Sequence, residues 1–174
     1  MIVFYAEDSF LSYILGKCIG KNIYRVSPES NSIQTVIETL NKVKRGEIKV
    51  KKVVIFIDDH YNKNFKRKLI EYLNRIKVNN NNINHKNIGS DIYYWNFILN
   101  DVYIEIILFN PKIEDILAKV EKIFLCKHFK GRTKEEVEKE FKKFCKKNKL
   151  NSKEIIRRFC KYIKDQFKLH SIDT

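Results

Sequence analysis

A chain of 174 residues with 44% hydrophobic and 13% aromatic residues can bury one core, which excludes intrinsic disorder and favours a single domain. Its formal net charge of +14 points to an anionic partner, nucleic acid first, because phosphates reward clustered Lys and Arg by releasing counterions. Four cysteines are few for a secreted disulfide scaffold, no apolar run reaches the ~18–20 residues of a membrane span, and "MIVFYAEDSF" is no leader. The chain therefore reads as cytoplasmic, with no membrane partner.

In chain order, "IVFY" is a short apolar strand that ends in Glu7 and Asp8. Leu11, Ile14, Leu15, Cys18 and Ile19 then fall at helical spacing, with Asp8 or Ser9 placed to cap the helix. "NIYRV" reads as a second strand, and Ser27-Pro28 as the cap and first position of a second helix. The apolar face of that helix is Ile33, Val36, Ile37, Leu40 and Val43, and it stops near Gly46. "VKKVVIFIDD" is a strand without alternation, as expected where both faces are covered.

Phe65, Leu69, Leu73 and Ile76 mark a third helix, after which "NNNNINHKNIGSD" reads as the most loop-like stretch. "DIYYWNFILN" and "VYIEIILFN" suit a hairpin around Asn100-Asp101, although the first could also be helical. Beyond Pro111 the pattern is helical: a stripe of Ile113, Ile116, Leu117, Val120 and Phe124, a capping box from Thr133 to Glu136, and a last helix capped by Ser152. The alternation predicts an α/β fold with a mostly parallel sheet covered by helices on both faces. Residues 1–125 form that domain, and 126–174 a basic helical extension packed on it.

Ligand crevices in open α/β sheets lie at the carboxyl ends of the strands. Two strand ends here carry acids, Glu7 with Asp8 and Asp58 with Asp59. Carboxylates crowded at one point repel unless a cation neutralises them, and oxygen-only clusters suit Mg²⁺ or Mn²⁺. Alternation along the strand puts Asp58 and His60 on one side and Asp59 on the other. The simpler reading makes Asp8 a helix cap and Asp58 to His60 the start of a turn.

The motif "VFYAEDSFLSYIL" with "VVIFIDDH" resembles the TOPRIM domain of topoisomerase and primase type enzymes and of small nucleases of the overcoming-lysogenization-defect group. The resemblance spans about residues 1 to 120. It implies a Rossmann-like fold, Glu7 as the general acid or base, and Asp58 with Asp59 or His60 as the metal site. "FNPKIEDIL" is similar to a stretch that supplies a further acid in some of these proteins, here Glu114. Asp8 stands where the family usually has Gly, and His60 where it has a second Asp; an imidazole there suits Mn²⁺ better than Mg²⁺. The chain also resembles response-regulator receiver domains, which implies a phosphate-accepting Asp58 beside Glu7 and Asp8, with Lys112 near the end of a fifth strand.

The charge is uneven. Residues 126–168 hold sixteen Lys or Arg against six acids, a net +10. Lys142, Lys143, Lys146, Lys147, Arg157, Arg158 and Lys161 are candidates for nucleic-acid contacts, while Phe141, Phe144, Phe159 and Tyr162 at helical spacing read as core. A zinc site from Cys126, His128, Cys145 and Cys160 lacks the Cys-x₂-Cys pair, so Cys145 and Cys160 read as core packing. The sequence leaves open whether the chain forms a homo-oligomer. Together these features predict a metal-dependent protein acting on phosphodiesters, with a non-catalytic receiver-like or nucleic-acid-binding module as the alternative.

Overall fold

The computed structural model describes residues 1–25, 31–58, 64–78, 83–123, 125, 129 and 131–169. Six strands form one sheet: β1 (Ile2–Ala6), β2 (Tyr24–Arg25), β3 (Lys52–Asp58), β4 (Asn84–Ile88), β5 (Ile92–Leu99) and β6 (Val102–Phe109). Their order is β2-β1-β3-β6-β5-β4. The first four in that order run parallel, and β5 and β4 close the far edge antiparallel. The sheet is thus mostly parallel, as the alternating pattern predicts. A receiver-type sheet of order 2-1-3-4-5 is shared only as far as β3.

Alternation decides what each face meets. Phe4, Ala6, Val54, Phe56, Tyr94, Ile107 and Phe109 point to one face, where they pack with α1 (Ser9–Ile19), α4 (Ile113–Glu121), α5 (Lys134–Lys147) and α6 (Ser152–Leu169). Val53, Ile55, Ile57, Ile104, Ile106 and Leu108 point to the other, against α2 (Ser32–Lys44) and α3 (Phe65–Arg75). β3 is buried on both faces, which is why its sequence shows no polar alternation. α5 and α6 belong to the same core as α1. Phe10 of α1 stacks on Phe129, which in turn meets Phe141 and Phe144 of α5 edge-on.

Local signals account for most boundaries. Asp8 caps α1 by accepting from Leu11 N–H, and Gly20 closes it in the left-handed conformation at φ 67°. Thr133 and Glu136 form the expected capping box. Asn100 and Asp101, at φ 49° and 61°, supply the two positive φ values of a two-residue hairpin turn between β5 and β6.

Several expectations are corrected. Asn31, not Ser27, caps α2 through a capping box with Gln34, and residues 26–30 lie outside the described residues. Asn151 rather than Ser152 caps α6, because its side chain accepts from Lys153 and Glu154 N–H. The helical stripe ends with α4 at Glu121, where Lys122 turns left-handed at φ 51°, before Phe124 is reached. The Asn-rich stretch is in part β4, an exposed edge strand carrying His85. Cys160 is buried as expected but is bonded to Cys18, so it is a crosslink as well as core; Cys145 is buried and free.

Candidate functional site

Chain order makes one point of the sheet special. From β1 the chain moves to β2 on one side, then returns to place β3 on the other side of β1. Such a switch point opens a crevice at the carboxyl ends of the two central strands. Glu7 follows β1 and Asp58 ends β3, so both acids stand at that crevice on neighbouring parallel strands.

Backbone donors hold them there. Glu7 N–H donates to the carbonyl of Phe56, extending the strand pairing by one residue. The Asp58 N–H donates to Glu7 Oε2 at 3.0 Å. Asp58 Oδ1 accepts from Ile113 N–H at 2.9 Å. That donor belongs to the first turn of α4, whose own N-cap residue Lys112 gives no side-chain cap; Asp58 caps the helix from across the sheet. Ser32 Oγ donates to the Asp58 carbonyl at 2.6 Å, which ties the start of α2 to the same strand end.

Alternation turns the Asp58 side chain toward the face that carries Phe56, α1 and α4. It is fully buried, and its Oδ2 has no hydrogen-bond partner among the described residues. Loss of hydration raises its pKa well above the ordinary carboxyl value, and the charges of Asp8, Glu114 and Glu7 raise it further; the Ile113 N–H opposes them. Glu114, in the first turn of α4 and 4% exposed, is pushed up to about 7, first by burial and then by the charge of Asp8. Lys112 partly offsets this.

The structure therefore gathers Glu7, Asp8, Asp58 and Glu114 at one end of the sheet. Asp8 serves as the α1 cap, as the simpler reading has it. Asp59 and His60 lie outside the described residues, as do Cys126 and His128. Among the described residues no three carboxylate, imidazole or thiol groups cluster tightly enough to enclose a metal ion. Still, a buried carboxylate oxygen with further carboxylate charge around it needs a proton or a cation, and oxygen donors suit a hard divalent ion. In donor chemistry the cluster fits Mg²⁺ or Mn²⁺.

The seven cations of the C-terminal region are all exposed and are not brought to this cluster. Arg158 reaches Glu121 and Glu154, Arg157 pairs with Glu154, and Lys142 with Glu138. Phe141, Phe144 and Phe159 are buried beneath them, as their helical spacing implies. Phe141 packs on Phe10 and Tyr13 of α1, and Lys17 stands 4.0 Å from Glu138, so α5 lies against α1.

Arg25 is a basic residue near the acids that the strand pattern leaves unremarked. It closes β2, and its guanidinium donates to Ser9 Oγ at 3.1 Å, next to Asp8. The only signal in sequence is an Arg at the carboxyl end of a short strand, "NIYRV". No known family model, curated protein or solved structure matches the chain.

Proposed function

We propose that the chain is a TOPRIM-like, metal-dependent protein that acts on the phosphodiesters of nucleic acid. The observation that supports this most is the buried, unbonded Oδ2 of Asp58 among three other carboxylates at the switch point of the sheet. Mg²⁺ commonly takes one or two carboxylates and completes its shell with water and substrate phosphate, so a tight cage of three side chains is unnecessary. Asp58 and Glu114 would hold the ion, with Asp59 or His60 added on the sequence reading, where His60 favours Mn²⁺. When bound, the ion supplies an activated water and neutralises charge on the phosphate.

Glu7, fixed by the Asp58 N–H, would carry a proton to or from the reacting oxygen. Arg25 and Lys112 at the rim would orient phosphate oxygens through charge-assisted hydrogen bonds. Lys142, Lys143, Lys146, Lys147, Arg157, Arg158 and Lys161 would track the nucleic-acid backbone. Cys18, beside the α6 cations through its bond to Cys160, is ten residues along α1 from Asp8, about 15 Å at the helical rise. That distance is a few nucleotides, so one strand could reach both. On this reading the protein works in the cytoplasm; no helix among the described residues is long and apolar enough to cross a membrane.

Cleavage of single- and double-stranded DNA and RNA with Mg²⁺ or Mn²⁺ tests the proposal. Glu7→Gln should lower the rate by about 10²- to 10⁴-fold. Asp58→Asn should abolish metal-dependent cleavage, yet raise the urea midpoint of the metal-free fold, because the amide keeps the acceptor for Ile113 and removes a buried charge. If neither metal supports cleavage of any of these substrates, the enzymatic reading fails and a binding module remains.

A further inference from the structure

Cys18 on α1 and Cys160 on α6 are bonded across 142 residues of sequence. The two sulfurs differ in surroundings. Cys18 is 1% exposed and Cys160 9%, and Cys160 lines an open groove of about 500 Å³ between α1 and α6 that Cys18 does not line. Five cations, Lys17, Lys153, Arg157, Lys161 and Lys164, line it with a single acid, Asp165.

Arg157 is held by Glu154 and Lys17 stands 4.0 Å from Glu138, but Lys153, Lys161 and Lys164 have no ion pair among the described residues. Arg157 and Lys164 lie three residues before and four after Cys160, so both project over the same stripe of α6 as the sulfur. A concave surface with excess charge of one sign concentrates ions of the other. Cations beside a sulfur also favour its thiolate, whether as product or as leaving group.

We propose that Cys18–Cys160 is an exchangeable disulfide, and that Cys160 is the sulfur attacked from this groove by an anionic low-molecular-weight thiol. The thiolate bonds to Cys160 Sγ as the Cys18–Cys160 bond breaks, and the electron pair leaves on Cys18 Sγ, which takes a proton from solvent. A second thiolate then attacks the sulfur of the first thiol in the mixed disulfide. The leaving group is the Cys160 thiolate, so two thiols are oxidised to one external disulfide and the protein disulfide is reduced to two thiols. This site is separate from the acid cluster and does not depend on the phosphodiester reading.

The test uses the oxidised full-length protein, with glutathione as the anionic thiol and cysteamine as the cationic one, compared at equal thiolate concentration. Opening is followed by alkylation and intact mass. Glutathione should open the bond about tenfold faster than cysteamine at low salt, and the ratio should fall toward one at 1 M salt. It should fall likewise in Lys161→Glu with Lys164→Glu. Acid quench and alkylation of the wild-type reaction in progress should trap glutathione on Cys160 with Cys18 alkylated. Equal rates for the two thiols, or a ratio unmoved by salt, overturn the proposal without reference to any variant. So does a wild-type chain isolated with Cys18 and Cys160 both free under oxidising conditions.

Discussion

Two buried acids on the same face of the sheet have opposite surroundings. Glu105, in the middle of β6, is 3% exposed. Strand register brings its partners: Lys52 pairs with Tyr103 and Val54 with Glu105, so Lys52 is its diagonal neighbour on one side, and Tyr94 is the diagonal neighbour on the other. Tyr94 Oη donates to Glu105 Oε1 at 2.7 Å. Lys52 Nζ stands 2.9 Å from Oε2, an ion pair without the alignment of a hydrogen bond. Asp58 is more deeply buried and is surrounded by acids instead. Burial of a carboxylate is therefore not by itself a pointer to function; burial among like charges is the feature on which the proposed site rests. A fold that gives Glu105 a counter-charge and surrounds Asp58 with like charges carries a local cost at Asp58 that stability alone does not explain.

The comparison can be broken from either side. The largest effect is expected at the acid with a counter-charge. Lys52→Met strands Glu105 without its counter-charge and should cost about 4 kcal/mol in urea unfolding; a loss below about 1 kcal/mol would mean that Glu105 does not need the pair.

At the cluster around Asp58 the effect should follow pH. Glu114 has its folded pKa raised from 4.5 to about 7, so the folded state holds the proton more tightly than the unfolded chain. The stability it contributes is complete below about pH 4.5 and is lost as pH rises through 7. The loss should approach about 3 kcal/mol in chelator. Subtracting the same series for Glu114→Gln isolates the group, and millimolar Mn²⁺ should return much of the loss at pH 8. A wild-type minus variant difference that grows with pH would show that the folded surroundings of Glu114 do not favour its protonated form.

Smallest is Tyr94→Phe, which removes one hydrogen bond to Glu105 while Lys52 stays. It should cost about 1–2 kcal/mol and leave any cleavage activity unchanged.

How much of this the sequence discloses depends on whether the signal is local. β1 and β3 are legible as uninterrupted apolar runs, α1 to α3 as faces with helical period, and the β5–β6 turn as Asn100-Asp101 with an apolar strand on either side. β4 is hidden because an exposed edge strand needs no apolar residues, and its order comes from pairing with β5. The acids at the ends of β1 and β3 are legible too, but not what holds them. The hydrogen bond from Ile113 to Asp58 joins residues 55 apart, and no spacing rule reaches that far. The same holds for Cys18 and Cys160, each of which sits on an apolar stripe and looks like core. Glu105 was within reach, since an acid inside "VYIEIILF" demands a partner and "VKKVV" offers one.

The bond between Cys18 and Cys160 also makes the chain a closed ring with two short tails. Stretched from residues 1 and 174, such a molecule can pay out only the seventeen residues before Cys18 and the fourteen after Cys160, roughly 100 Å of contour. Once β1 is drawn off, the backbone of β2 to β6 lies outside the covalent path of the pull. Once the bond is opened, the same pull runs through the whole sheet and the available length rises to about 600 Å. Between the two chemical states the covalent structure changes by two hydrogens, and the path of mechanical force changes completely.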